Sequence, residues 1–118
     1  MNVLVIGASN NPDRYAYKAI EMLLNYNHHP IPFSKKKAEV CGLDIKNEWE
    51  SWNDVHTVTV YVNPELQKAY YQNIIDLKPK RVIFNPGTEN PEFEALLSEN
   101  KIETLEACTL VMLSTGQF

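Results

Sequence analysis

Five short apolar runs punctuate the chain, and between them apolar residues recur at helical spacing. Residues 2–7 (Asn-Val-Leu-Val-Ile-Gly) are a compact branched run, the pattern of a strand buried on both faces. From Tyr15 to Asn27, the positions Ala16, Ala19, Ile20, Leu23 and Leu24 make one stripe of an amphipathic helix. Residues 29–33 (His-Pro-Ile-Pro-Phe) predict a second strand, whose two prolines suit a strand start or a less central place. The stretch 34–54 has weak periodicity: a turn around Gly42 is expected, then a short helix or loop carrying Trp49 and Trp52. Residues 57–62 (Thr-Val-Thr-Val-Tyr-Val) are all β-formers and predict a third strand. Asn63-Pro64 then sets a capping residue before a proline at the first helical position, and Leu66, Ala69, Tyr70, Ile74 and Leu77 line one face of the helix that follows. Residues 81–85 predict the fourth strand. Asn90-Pro91 repeats the cap-and-proline signal ahead of Phe93, Leu96 and Leu97, residues 102–106 predict the fifth strand, and a short segment from Cys108 to Leu113 follows.

Strands alternating with helices at this spacing mean βαβ units, hence a parallel sheet with right-handed crossovers and helices on both faces. The expected fold is α/β: a three-layer, Rossmann-like, doubly wound parallel sheet of five strands in the order 3-2-1-4-5, in a single domain over 1–118.

The sequence has 118 residues, 44% hydrophobic and 22% charged, which fits one packed domain. Its net charge of −4 argues against a general nucleic-acid binder, Lys35-Lys36-Lys37 being the local exception. Cys41 and Cys108 have neither metal-type spacing nor a disulfide framework and fit a reducing compartment. The first apolar run is too short for a signal core or a membrane span, so a cytoplasmic protein with no membrane association and no metal is expected.

Ligands of open α/β sheets bind beyond the carboxyl ends of the strands, where the winding reverses. Here those ends read Gly7-Ala8-Ser9, Ser34-Lys35-Lys36, Asn63-Pro64 and Asn85-Pro86-Gly87. Gly7 ends the first strand, where a missing side chain lets a ligand approach the main chain. The next helix points its free N–H groups and positive dipole end at the same spot. An anion site is the expected result. The Gly-x-Gly-x-x-Gly dinucleotide fingerprint is broken at Ser9 and Pro12, and lysines replace the acidic residue that holds a ribose diol. A nucleotide with an extra ribose phosphate is implied, which leaves coenzyme A or NADP; the short chain, without room for a substrate domain, favours coenzyme A.

The run Gly7-Ala8-Ser9-x-x-Pro12-x-Arg14-Tyr15 resembles the opening motif of the small stand-alone CoA-binding proteins, which share the Rossmann-type domain at the N-terminus of the succinyl-CoA synthetase alpha subunit. The similarity runs from Val3 to about Leu113 and takes in Ile31-Pro32-Phe33, Glu39-Val40-Cys41-Gly42, Asn85-Pro86-Gly87 and Cys108. It implies that Gly7, Ala8, Ser9, Pro12, Arg14 and Tyr15 wrap the CoA pyrophosphate, that Ser34 and Lys35 lie near the adenosine, and that Asn63, Pro86 and Gly87 border the pantetheine path. Ser34-Lys35 stand where the family commonly shows Asn-Pro. His28, His29 and His56 do not match the synthetase's phosphorylated histidine, so the resemblance implies no ligase activity.

Arg14 stands at a helix start, where a cation is disfavoured unless it meets an anion. Ser9 serves as a phosphate donor, a turn cap or both. Lys35 is the lysine of its run expected to touch a phosphate. No Ser/His/Asp or Cys/His arrangement is present, so no catalytic residue is assigned; Cys108 reads as a buried structural thiol, and Trp49 and Trp52 as the cover of a core edge. The expected function is coenzyme A or acyl-CoA binding. An NADP-linked oxidoreductase and a nucleotide-sensing module docking a partner through Trp49–Trp52 are the alternatives, and a homo-oligomer or protein partner stays open.

Overall fold

A computed structural model describes residues 1–118. Strand β1 (Asn2–Ile6) is buried along Val3–Ile6, and its period of two divides the interior: Val3 and Val5 face one helical layer, Leu4 and Ile6 the other. Helix α1 (Tyr15–Asn25) buries Ala16, Ala19, Ile20 and Leu23 on the Val3–Val5 side, on the predicted stripe. Strand β2 (His29–Phe33) follows, then a small antiparallel pair, β3 (Glu39–Val40) and β4 (Leu43–Asp44), turning through Cys41 and Gly42. Two-residue strands leave no periodicity to read, which is why the sequence indicates only a turn there. Strand β5 (Val55–Val60) starts two residues earlier than predicted and is buried almost throughout.

Helix α2 (Pro64–Gln67), a 3-10 turn (Lys68–Tyr70) and helix α3 (Tyr71–Leu77) replace the single helix expected after Asn63. The break lets adjacent residues pack on different partners: the Tyr70 ring sits 5.4 Å from Phe33, while Tyr71 stacks on Phe93 at 4.2 Å. Strand β6 (Arg81–Phe84), helix α4 (Pro91–Glu99), strand β7 (Glu103–Glu106) and helix α5 (Thr109–Ser114) complete the chain. Both predicted caps form, Asn63 accepting from the Leu66 amide at 3.0 Å and Asn90 from that of Phe93 at 3.1 Å.

The five long strands form one parallel sheet in the order β2-β1-β5-β6-β7, with helices on both faces: the doubly wound, Rossmann-like α/β architecture expected. In one place the order differs from 3-2-1-4-5. The third long strand, β5, lies beside β1 and not outside β2, so the order in chain numbering is 2-1-3-4-5. Proline explains it. Pro30 and Pro32 share a parity, and the Pro32 carbonyl points away from β1 to accept from the Lys46 amide. Neither proline can donate on that outer side, so β2 must be an edge. The branched, fully buried β5 takes the interior position instead.

The Trp49 and Trp52 rings pack edge-on against Phe33 at 5.2 and 5.9 Å, and Trp49 stacks on Tyr70. They cover a core edge. At the opposite end of the sheet, the Met1 amine lies 3.3 Å from His28 Nδ1, near His29, His56, Lys80 and Arg81. Burial first, and then these cations, holds the His28 and His56 imidazoles below their ordinary value of 6.5. The unfolded chain therefore binds more protons just below that value. Stability from these two histidines is complete above pH 6.5 and declines as pH falls through it. Thermal melts from pH 7.5 to 5.5 are expected to show a falling midpoint, and a His28→Gln, His56→Gln double variant a flatter profile.

Candidate functional site

The winding reverses between β1 and β5: the chain leaves β1 toward β2, then crosses back to place β5 on the other side. The carboxyl ends of these two strands, at Gly7 and Tyr61, open into two adjoining cavities. Both are lined by Gly7.

Gly7 has φ +92°, and a Cβ there would lie 2.9 Å from Val62 Cγ1 and 3.1 Å from the Tyr61 carbonyl carbon. The glycine is thus required by its own backbone turn and by the close approach of the segment after β5. The Gly7 and Ala8 amides both donate to the Phe33 carbonyl, at 2.9 and 3.1 Å. They tie the loop to β2 and are not free for an anion. Ala8 is buried, away from both cavity walls.

The loop then turns on its own side chains. Ser9 Oγ accepts from the Asn11 amide at 3.0 Å and Asn11 Oδ1 from that of Asp13 at 3.0 Å. The Ser9 and Asn10 amides, and those of Tyr15, Ala16 and Tyr17 at the start of α1, have no protein partner. Donors for an anion therefore come from the helix end and the middle of the loop.

The first cavity is a polar cleft of about 460 Å³. Ser9, Asn11, Arg14, Tyr15 and Ala16 form one wall, and Lys36 reaches it from the loop after β2. Tyr61, Pro86 and Thr88 supply the rest. No carboxylate lines it, and Arg14 makes no ion pair within the chain. Burial pushes the Tyr61 phenol up to about 12, so it stays protonated at neutral pH, and its buried hydroxyl has no hydrogen-bond partner in the chain.

The second cavity is an apolar slot of about 290 Å³ between the ends of β1 and β2 and helix α2. Phe33, Val62, Leu66, Ala69 and Tyr70 give its surface, with Ser34, Lys35 and Glu65 at the polar edge. Glu65 pairs with Lys68 at 3.2 Å, both side chains being exposed.

Gly7, Ser9, Arg14, Tyr15 and Pro86 thus meet around the cleft, and Ser34 and Lys35 at the slot. Pro12, Asn63 and Gly87 line neither. Asn63 is committed to its helix cap, and Gly87 to a turn at φ +91° whose amide donates to Glu89 Oε1 at 2.9 Å. The sequence does not point to Asn11, Tyr61 and Thr88, which carry no motif, nor to Lys36, since it singles out Lys35 from the lysine run.

A parallel doubly wound sheet with a positively charged cleft at its winding reversal defines a Rossmann-like α/β domain. The family described as CoA binding domain matches residues 1–114, and the chain belongs to it. A solved structure described only as an uncharacterized protein is 53% identical, with a TM-score of 0.98 over 99% of this chain and 97% of that one. A Thermus thermophilus protein, cell-free ID.343, is 22% identical with a TM-score of 0.85, covering 99% of this chain and 90% of that one. A hypothetical protein from Pyrococcus horikoshii OT3 is 24% identical with a TM-score of 0.87, covering 96% and 81% respectively. These last two share the fold. No curated protein matches the chain. No helix is long and apolar enough to cross a membrane.

Proposed function

We propose that the chain binds coenzyme A or an acyl-CoA across the two cavities, the diphosphate in the cleft and the adenine in the slot. One observation carries this reading: in a chain of net charge −4, a cleft without carboxylates presents Arg14 and Lys36 and adjoins an apolar slot at Gly7. The diphosphate takes the unpaired amides of Tyr15 and Ala16, the dipole of α1, and the planar fork of Arg14. Phe33, Leu66 and Tyr70 offer the base apolar and aromatic surface to lie against. The pantetheine arm leaves along Pro86 and Thr88. Ser9, at the cleft wall, keeps its hydroxyl proton for an oxygen of the ligand while its lone pair holds the Asn11 amide.

A melting-temperature comparison of coenzyme A, NADP and NAD at equal concentration tests the ligand, since a compound that binds only the folded chain raises the midpoint. Coenzyme A is expected to give the largest rise; a larger one with NADP favours the redox alternative. Arg14→Ala is expected to weaken coenzyme A binding by about 1.5–3 kcal/mol, the worth of a charge-assisted hydrogen bond. Calorimetry that returns an unchanged affinity removes Arg14 from the site.

A further inference from the structure

We propose that the amino-terminal end of the sheet carries a second anion site, built on Arg81 with His28 and His56 and covered by the Phe118 ring, for a small oxyanion of the sulfate or phosphate class. It lies at the far end of the strands from the cleft and is independent of the coenzyme A reading. Arg81 opens β6, and its guanidinium is only partly satisfied. Nε donates to Thr57 Oγ1 at 2.9 Å, while Nη2 is buried and has no hydrogen-bond partner. A buried donor left open on a charged group is costly, and it calls for a ligand or a function that accounts for it. Glu103, the register neighbour on β7, is the carboxylate that acts on Arg81, and no ion pair joins the two.

What sits on the guanidinium is a ring. The Phe118 centroid lies 4.6 Å from Arg81 Cζ, and the same ring lies 5.2 Å from the His28 imidazole. The electron-rich face of the phenyl group takes the place of a negative charge there. It has no lone pair to offer, so Nη2 stays unanswered. Phe118 is half-buried and makes no hydrogen bond of its own, the last one before it running from the Gln117 amide to the Met112 carbonyl at 2.8 Å. Its ring can therefore turn aside without breaking one.

The imidazoles add donors to this site and little repulsion. Arg81 Nε–H fills the Thr57 oxygen as a donor, which directs the Thr57 proton to His56 Nδ1, 2.8 Å away. The neutral His56 ring then carries its own proton on Nε2. Burial first, and then the nearby cations, holds both imidazoles below 6.5, so at pH 7.5 each is a neutral ring with one N–H. A tetrahedral anion has oxygens that point several ways. It suits a guanidinium on β6 and two N–H donors that arrive from β5 and from the residue before β2.

The three histidines of the chain, His28, His29 and His56, line no part of the cleft, so their ring-proton NMR signals report an anion at this end alone. Sulfate is titrated at pH 7.5 beside chloride of equal ionic strength, with His28→Gln and His56→Gln assigning the signals. Sulfate is expected to shift the His28 and His56 signals saturably, with a half-point on the order of 1–10 mM, while chloride gives only the drift of screening. Arg81→Gln keeps a donor for Thr57 and removes the charge; it is expected to raise the half-point about tenfold. Phe118→Ala leaves Arg81 in place and is expected to lower it about two- to fivefold, the worth of the cation–π contact that the anion otherwise displaces. Circular dichroism checks each fold, and Phe118→Ala decides alone if Arg81→Gln does not fold. A shift that chloride reproduces, a half-point unmoved in folded Arg81→Gln, or one that does not fall in Phe118→Ala overturns the proposal.

Discussion

A Gly7→Val chain is expected to lose most of its folding stability before any question of ligand arises. At φ +92° a branched side chain is held in a region of backbone space that costs about 1–3 kcal/mol for a non-glycine residue. The added Cβ meets Val62 Cγ1 at 2.9 Å and the Tyr61 backbone just beyond 3 Å, and the two further methyl groups have to push β1 and β5 apart. Overpacking of that kind adds a further ~1–3 kcal/mol. Against the roughly 5–15 kcal/mol of a typical domain, the sum is large. Urea denaturation followed by circular dichroism is the measurement, with Gly7→Ala expected to fall between the variant and the parent because it carries the strain and the first contact only. A Gly7→Val protein as stable as the parent overturns this account of the turn. The same reasoning makes Gly7 a poor probe of the site, for its replacement disturbs the strand ends that form both cavities.

Asn85→Leu is expected to cost about 2–5 kcal/mol, because it strands at least two buried backbone groups that have no access to water. Asn85, 2% exposed just past β6, donates from Nδ2 to Thr59 Oγ1 at 2.7 Å and to the Val60 carbonyl at 2.9 Å. Its Oδ1 accepts from the Thr109 amide at 2.9 Å, the first residue of α5. One side chain thereby joins β5, β6 and the last helix. Leucine has the same branching, is somewhat bulkier, and satisfies none of them. For a chain of this length the loss corresponds to a fall in melting temperature of roughly 8–20 °C, which calorimetry reads directly. The Pro86 and Thr88 wall of the cleft leaves from Asn85, so ligand affinity is expected to fall with stability; a near-neutral Asn85→Leu overturns the network's role.

Most of the architecture was legible because burial leaves periodic marks. The β1 and β5 runs, the α1 stripe and the two Asn-Pro caps all stand within two residues of where the pattern puts them. The sheet order was legible in principle. Two prolines of equal parity in β2 forbid a neighbour on one side, a stronger statement than a weakened strand, and it selects the order in which β5 adjoins β1. What could not be read was set by contacts distant in sequence. The break between α2 and α3 follows from Tyr70 and Tyr71 packing on opposite partners, Phe33 and Phe93. In the site, the motif located the loop but not its donors. The Phe33 carbonyl captures the Gly7 and Ala8 amides, a bond between residues some 25 positions apart that nothing local announces. The sequence singles out Lys35 from its run, and that Lys36 lines the cleft emerges only with the loop that Asn47 and Lys46 hold against the sheet.

The proline-bearing margin of the sheet has a consequence for crowded solutions. With Pro30 and Pro32 unable to donate and Lys46 already seated on the Pro32 carbonyl, a foreign strand finds no ladder to extend there. The other margin of the five-stranded sheet is β7, four residues long, and two copies paired there antiparallel in full register would set Glu103 of one against Glu106 of the other. Like charges directly opposed repel. The molecule is thus guarded against self-templating by ring chemistry at one margin and by electrostatics at the other.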